Sequence, residues 1–259
     1  MVPSATPGDP GATGLGFETI AFPSSRDSVR LSGWWFAGPA GSPVLVAFDR
    51  SRGSMADLLP AVRAFRSRGF TVMTFDYRDF GPGGPGAADT LRTLAFASRW
   101  VNDGEGALRF ARARAGGRPV FAWGQDLGGP VAVASLARDP RLADAVAVEG
   151  LFRTTMELLY RNGTSQVPGV SERHRRLVES RDEPLAAVAR LHAPLLEVLA
   201  GRDSLWPPDV TLSASCTSLS RIDRWTLPEA GHDGAETTPD YYDHVARWFQ
   251  RLAALIGRG

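Results

Sequence analysis

An aspartate between closely spaced glycines is the first residue in this chain whose surroundings suggest chemistry. It lies in the stretch Gly124-Gln125-Asp126-Leu127-Gly128. The apolar residues 119–123 precede this stretch and predict a buried strand, and residues 130–137 predict a helix. A strand, a tight glycine turn and a helix form the arrangement that raises a nucleophile above a sheet. Because the raised group here is a carboxylate, it can attack carbon or transfer a proton.

A histidine and two further carboxylates each end or follow a predicted strand downstream of this turn. Asp203 follows the strand predicted at residues 194–200, and His232 follows the strand predicted at residues 222–227. Nucleophile, acid and histidine in this order are the order of one known kind of catalytic triad. Glu149, at the end of the strand predicted at residues 143–149, is the rival acid, and either carboxylate would orient the histidine ring. The structural alternatives are a helix-capping role for Asp203 and a surface-loop position for His232.

Residues around the turn are candidates for oxyanion stabilisation and substrate binding. Leu127 follows Asp126, so its backbone N–H is placed to stabilise a developing oxyanion. Arg50 and Arg52 follow the strand predicted at residues 43–48, where they either attract an anionic substrate group or form a solvated pair. The aromatic residues Tyr160 and Trp206 are predicted to line a pocket beneath a lid. The complete predicted binding set is Asp49, Arg50, Gln125, Leu127, Tyr160 and Trp206.

Composition restricts the class of protein before any fold is considered. The 259 residues are 43% hydrophobic, enough for one sizeable core. A formal net charge of +1 gives no reason to expect nucleic acid or a membrane surface as a partner. All 29 basic residues are arginine, which is typical of a GC-rich genome, and one cysteine excludes an internal disulfide. We expect a cytoplasmic protein that acts on a small molecule without cofactor or metal, with its oligomeric state open.

Strands and helices alternate along the chain and predict an α/β fold. A hairpin at residues 17–22 and 29–36 opens the sheet, and mainly parallel strands follow, covered by helices on both faces. Residues 1–16 are predicted to be a flexible leader, and residues 17–259 a single domain with a small helical lid at about 151–190. The other predicted strand lies at residues 70–75, and the other predicted helices at 55–68, 87–115 and 241–256.

Several motifs in a fixed order resemble those of α/β-hydrolase-fold proteins, from about residue 17 to residue 255. Two departures stand out: Asp126 replaces the usual serine, and Asp49-Arg50 stands where many relatives have His-Gly in the loop that helps to form the oxyanion hole. The resemblance implies a triad of Asp126, Asp203 and His232 but argues against a serine esterase, lipase or peptidase. The motifs are Leu31 to Trp35, Phe75 to Gly81, Gly124 to Gly128, Gly201 to Pro207, and Gly231-His232.

Three functions are compatible with an aspartate at this turn. Our leading expectation is an elimination or ring-forming step through Asp126 and His232 acid–base chemistry, similar to lyase-type relatives in natural-product (polyketide) biosynthesis. The alternative is an Asp-nucleophile hydrolase that forms an alkyl ester, as in epoxide hydrolases and haloalkane dehalogenases. Those families commonly carry tryptophan after the nucleophile, where this chain has Leu127, and a larger helical cap. The third possibility is a catalytically inactive ligand-binding relative.

Overall fold

A continuous eight-stranded sheet forms the centre of the protein. The computed structural model describes residues 10–50, 54–78, 97–161, 172, 178–209, 221–232 and 234–257. The strands are β1 (Glu18–Pro23), β2 (Arg30–Phe36), β3 (Val44–Phe48), β4 (Thr71–Phe75), β5 (Val120–Gln125), β6 (Ala145–Glu149), β7 (Leu195–Ala200) and β8 (Ile222–Leu227). The helices are α1 (Leu59–Ser67), α2 (Ser98–Ala115), α3 (Gly128–Arg138), α4 (Thr155–Arg161), α5 (Pro184–Arg190) and α6 (Tyr241–Ile256).

The order of the strands across the sheet is β1-β2-β4-β3-β5-β6-β7-β8. β1 and β2 form an antiparallel hairpin, and β2 is also antiparallel to β4. All later neighbours run parallel, so the carboxyl ends of β3 and β5 to β8 lie along one edge of the sheet. The predicted architecture, a mainly parallel sheet with an antiparallel start, is confirmed.

Apolar side chains cover both faces of the sheet, as the unbroken apolar strands require. Every residue of β3, β4, β5, β6 and β7 is buried. On one face the core includes Trp100 of α2, Val131 of α3 and Ala187 of α5. On the other face it includes Val62 of α1 and Val245 of α6. The sheet is therefore a rigid platform whose carboxyl edge can hold side chains in fixed positions.

The ends of the elements differ little from those predicted. Ser54 caps a 3-10 turn, Met55–Leu58, which precedes α1 where one continuous helix was predicted. α3 begins at Gly128 rather than at residue 130, directly after the turn that holds Asp126. Of the helix predicted at residues 87–115, the part from Ser98 onwards is helical, and residues 87–96 lie outside the described residues.

Two predicted segments are only partly described. Within the predicted leader, Pro10–Thr13 form a 3-10 helix, Leu15 packs against the core near α1, and residues 1–9 lie outside the described ranges. The predicted lid contributes α4, a 3-10 turn at Ser180–Asp182, and α5. Of its remainder, residues 162–171 and 173–177 are outside the described part. Within the ranges that the structure describes, no helix has the length and apolar character needed to span a membrane.

Candidate functional site

Asp126 lies in a strained turn between β5 and α3. Its backbone φ is +47°, in the left-handed region that residues other than glycine seldom occupy. The turn is tight because two glycines permit close backbone contact. A Cβ on Gly124 would lie 2.6 Å from the carbonyl of Gly128, and one on Gly128 would lie 2.4 Å from the carbonyl oxygen of Phe48. The glycine spacing read in the sequence therefore produces a tight strand–turn–helix elbow with an aspartate at its tip.

Hydrogen bonds hold the elbow against the neighbouring strand and helix. The backbone N–H of Asp126 donates to the carbonyl oxygen of Glu149, the last residue of β6, at 3.2 Å. The carbonyl oxygen of Asp126 accepts from the N–H of Gly129 in the first turn of α3, also at 3.2 Å. Asp126 is 8% exposed. The strained backbone is therefore fixed from both sides, which is how such strain persists at functional sites.

His232 and Asp203 form a hydrogen-bonded pair at the same edge of the sheet. Nδ1 of His232 lies 2.9 Å from Oδ2 of Asp203. The other carboxylate oxygen of Asp203 accepts the backbone N–H groups of Leu205 and Trp206, each at 2.8 Å. Burial alone would raise the pKa of Asp203, but these hydrogen bonds, led by the one from His232, bring it below its ordinary value. Asp203 is thus an ionised acceptor that orients the histidine ring.

Trp206 lies near both this pair and the elbow. A Cβ built on Gly150 would lie 4.0 Å from the Cα of Asp126 and 4.0 Å from Cδ1 of Trp206. The indole is 1% exposed and packs against Phe152, with the Arg161 guanidinium over the ring. The structure thus brings the Asp203 loop beside the elbow, and the Trp206 indole lies under the guanidinium of Arg161, the last residue of α4.

Tyr160 is exposed to solvent in the described part of the structure, which corrects the pocket-lining role suggested for it by the sequence. Its side chain is 72% exposed. The buried positions of α4 are Thr155, Leu158 and Leu159, so Tyr160 lies on the opposite face of that short helix. The sequence places an aromatic residue in the lid but does not specify which face of this short helix packs against the core.

Glu149, the rival acid, contacts other side chains. Its Oε2 accepts Nε2 of Gln125 at 3.1 Å and the hydroxyl of Tyr241 at 3.2 Å. Burial, with the nearby Glu236 carboxylate, raises the pKa of Glu149 to about 7, although Gln125, Arg50 and Tyr241 act in the opposite direction. The carboxylate of Asp203, in contrast, is hydrogen-bonded to His232.

Three further predicted residues border one cavity next to the elbow. The cavity has a volume of about 600 Å³ and is lined in part by Asp49, Arg50 and Gln125. Arg50 forms an ion pair with Glu236, which also borders the cavity, and its Nε donates to Oε1 of Gln125 at 3.4 Å. The Arg50 side chain is therefore not a simple solvated cation. Arg52 lies outside the described residues.

The sequence did not single out Glu236, Tyr241 or Tyr242 as residues of this region. Glu236 lies in a short 3-10 turn after β8, and the two tyrosines begin α6. No motif marks them; their nearness to Gln125 and Glu149 arises from the docking of α6 against the sheet. In the part of the chain that the structure describes, no group of three or more His, Cys, Asp or Glu residues is arranged to hold a metal ion.

Comparison with known proteins supports the fold more than any particular activity. The chain is 26% identical over 263 residues to an uncharacterized protein of Mycobacterium tuberculosis found in two strains, covering 98% of this chain and 85% of the relative. No family model matches the sequence.

Solved structures with similar backbones include esterases and a peptidase. An esterase of Pyrococcus furiosus has a TM-score of 0.73 at 16% identity, with 98% of this chain and 96% of that chain covered. An acylaminoacyl peptidase of Pyrococcus horikoshii has a TM-score of 0.67 at 17% identity, covering 91% of this chain and 41% of that one. A cold-adapted esterase from an Arctic intertidal metagenomic library gives 0.63 at 14% identity, covering 91% and 93%. Together with the strand order, these likenesses show the α/β-hydrolase fold.

Proposed function

We propose that this chain is a hydrolase that uses Asp126 as a covalent nucleophile, His232 as general base and Asp203 as the residue that orients the histidine. The observation that carries the proposal is the elbow itself, which holds Asp126 at a φ of +47°. A strained, doubly hydrogen-bonded turn is the expected form of a site that presents a reacting group. The Asp203–His232 pair at the same edge supports a second, water-activating step.

In the first step, a carboxylate oxygen of Asp126 attacks an electrophilic carbon of the substrate. A carbon–oxygen bond forms, the bond from carbon to the leaving group breaks, and the leaving group departs with its electron pair. Because Tyr160 faces solvent, α4 offers no phenol to protonate an alkoxide. A leaving group that departs as a stable anion, such as a halide, therefore suits this site better than an epoxide oxygen.

In the second step, the ring nitrogen of His232 that is not bonded to Asp203 takes a proton from water. The resulting hydroxide attacks the ester carbonyl carbon of Asp126. The oxyanion that develops is within the reach expected of the Leu127 N–H, the residue after the nucleophile. Collapse of the intermediate breaks the acyl bond, and the departing alkoxide takes the proton from the His232 imidazolium to leave as the alcohol. The new carboxyl group of Asp126 then loses its proton to solvent, which regenerates the carboxylate. Asp203, whose pKa is lowered, stays ionised and stabilises the imidazolium.

Elimination by acid–base chemistry is the second candidate, and one observation favours it. Glu149, whose pKa is about 7, lies beside the elbow and can exchange a proton near neutral pH. In this case Asp126 or His232 removes a substrate proton, and a small acid or water is expelled without an ester. The relatives described as esterases and peptidases support hydrolysis rather than this natural-product lyase function.

Single turnover in ¹⁸O-labelled water distinguishes the candidates. The protein is mixed with a panel of alkyl halides, epoxides and carboxylic esters, and the peptide that contains Asp126 is analysed by mass spectrometry. Label in the Asp126 carboxylate supports the covalent hydrolase, because water attacks the ester at its carbonyl carbon. The His232→Gln variant should accumulate the alkyl ester, and Asp126→Asn should form none.

Two results would contradict the proposal. A product that loses a small acid or water, with no label in Asp126 and no adduct in the His232→Gln variant, would mean elimination. Binding of panel compounds that is unchanged in Asp126→Asn, with no turnover by either protein, would mean a catalytically inactive binding relative.

A further inference from the structure

Glu149 lies within a buried hydrogen-bond chain that runs beside the elbow. Its Oε2 accepts from Nε2 of Gln125 at 3.1 Å and from the Tyr241 hydroxyl at 3.2 Å. That hydroxyl lies 3.1 Å from Nε1 of Trp123, which donates to it. At the other end, Oε1 of Gln125 accepts from Nε of Arg50 at 3.4 Å. The chain of hydrogen bonds therefore runs from Glu149, the last residue of β6, through Gln125 of β5 to Arg50 in the loop after β3.

The groups that face Glu149 come from four elements and carry both signs of charge. Glu236, after β8, disfavours the ionised carboxylate, whereas Arg50, after β3, favours it. Gln125 of β5 and Tyr241 of α6 donate to it. Burial dominates these effects and raises the pKa of Glu149 to about 7, so that both protonation states are populated near neutral pH.

The two protonation states require different orientations of the Gln125 amide. An ionised Glu149 only accepts, so it takes the NH₂ group of Gln125 and leaves the amide oxygen for Arg50. A protonated Glu149 can donate, which favours turning the amide oxygen of Gln125 towards it. The NH₂ group would then face the Arg50 guanidinium, and two donors repel each other.

We propose that Glu149 is a positioning residue: its carboxylate sets the amide orientation of Gln125 and thereby keeps Arg50 and the loop after β3 in place beside the elbow. The loop touches the elbow closely, since a Cβ on Gly128 would lie 2.6 Å from the carbonyl oxygen of Asp49. A shift of Arg50 therefore reaches the loop that helps to form the oxyanion hole in many α/β-hydrolase-fold proteins. This catalytic consequence rests on the proposed hydrolase, whereas the positioning of Gln125 does not.

Side-chain amide NMR tests the positioning without a substrate. The Gln125 signals are assigned by their absence in Gln125→Met and followed from pH 5 to 9, which brackets the pKa of about 7. In the wild type they should shift with a midpoint near that value. In Glu149→Gln they should not titrate, because the amide that replaces the carboxyl group neither gains nor loses a proton in this pH range. The matched control is Glu197→Gln, which replaces a fully buried carboxyl group of β7 by an amide and should leave the Gln125 titration intact.

Kinetics of ester formation test the effect on Asp126. The His232→Gln background traps the ester and removes the histidine from the pH profile. The rate of alkylation should fall as the pH drops through about 7. The fall should be roughly tenfold to hundredfold, since misplacement by about 1 Å can cost ~10²-fold. Adding Glu149→Gln should abolish this pH step, because the Gln125 amide then keeps one orientation at every pH. Adding Gln125→Met should also abolish it, because Arg50 then has no hydrogen bond to residue 125.

The outcomes separate the two proposals. If no probe forms an ester, the hydrolase proposal fails, but the amide titration still decides the role of Glu149. A Gln125 titration that persists in Glu149→Gln would overturn the positioning proposal. So would a pH step in alkylation that survives Gln125→Met, because the effect would then not pass through the amide.

Discussion

At the scale of single residues, Asp203 has hydrogen bonds that suit an orienting carboxylate better than a simple helix cap. It accepts two backbone N–H groups through one oxygen and His232 through the other. A cap would need only the first pair of bonds. The second oxygen is therefore available to fix the histidine, and the two functions are served by one side chain.

Asp203→Asn should separate the two chemical steps of the proposed hydrolase. The amide can no longer stabilise the imidazolium or select the required tautomer, so ester hydrolysis should slow by about 10²–10⁴-fold, by analogy with other triads. Alkylation of Asp126 should change little, because that step does not use His232. Stopped-flow measurement with mass spectrometry should detect an ester that accumulates. Equal slowing of both steps would argue that Asp203 supports the whole site rather than the histidine.

At the scale of elements, the joint between β5 and α3 depends on the absence of side chains. A Cβ on Gly124 would meet the backbone of Gly128 and Gly129 at 2.6 to 2.7 Å, and backbone cannot move aside as a flexible side chain can. We expect Gly124→Ala to destabilise the fold by about 1–3 kcal/mol, the usual cost of overpacking. It should also displace Asp126.

Urea denaturation of Gly124→Ala against Gly16→Ala measures this effect. A Cβ on Gly16 would have nothing within 4 Å, and the φ of this residue is ordinary, so its alanine variant should unfold like the wild type. Equal midpoints for the two variants would mean that the elbow can relax without cost.

A buried ion pair joins α3 to the described part of the predicted lid. Nε of Arg138, near the end of α3, donates to Oδ1 of Asp182 at 2.8 Å, and Asp182 is fully buried. The elbow helix and the turn at Ser180–Asp182 are thus held together directly. Because loss of one partner leaves a buried charge uncompensated, the contact fixes the position of this turn even if its net energy is small.

Arg138→Ala should destabilise the protein by about 3–5 kcal/mol, the cost of leaving a buried carboxylate without its partner. Arg141→Ala is the matched control, since its side chain is 85% exposed and its pairing with Asp139 is screened by water. Thermal unfolding followed by circular dichroism should show a clearly lower melting temperature for Arg138→Ala and no measurable change for Arg141→Ala. A small loss in Arg138→Ala would mean that water or other groups replace the guanidinium.

At the scale of the whole molecule, the parallel sheet brings the candidate site residues together at one edge. β5, β6, β7 and β8 run in the same direction, so the residues that follow them meet although they are far apart in sequence. Asp126, Glu149, Asp203 and His232 each end or follow one of these strands. The free energy of unfolding therefore depends on the protonation state of the titratable groups buried at this edge.

Glu149 gives this linkage a definite sign. Its folded pKa of about 7 lies above the ordinary value of 4.5, so protonation stabilises the folded state. That stability is fully present below pH 4.5 and is lost as the pH rises through about 7. The free energy of unfolding of the wild type should fall by up to about 3 kcal/mol more than that of Glu149→Gln over this range, since each pKa unit corresponds to ~1.4 kcal/mol. Denaturant titrations at each pH measure the difference in free energy of unfolding between the two proteins. The contributions of Asp76, Asp103 and Asp203 cancel, because both proteins contain these residues. If the two plots of unfolding free energy against pH were parallel, they would contradict the raised pKa of Glu149.

The sequence alone determined the strands, the elbow and the order of its three candidate residues. These features depend on local patterns: unbroken apolar runs become buried strands, and Gly124 and Gly128 allow one tight turn. Only the tertiary structure decided that Asp203 rather than Glu149 contacts His232, that Tyr160 faces solvent, and that Tyr241 and Gln125 surround Glu149. Such contacts depend on loop conformations and on how α4 and α6 dock, and these arise from packing between distant parts of the chain. No short-range pattern encodes them.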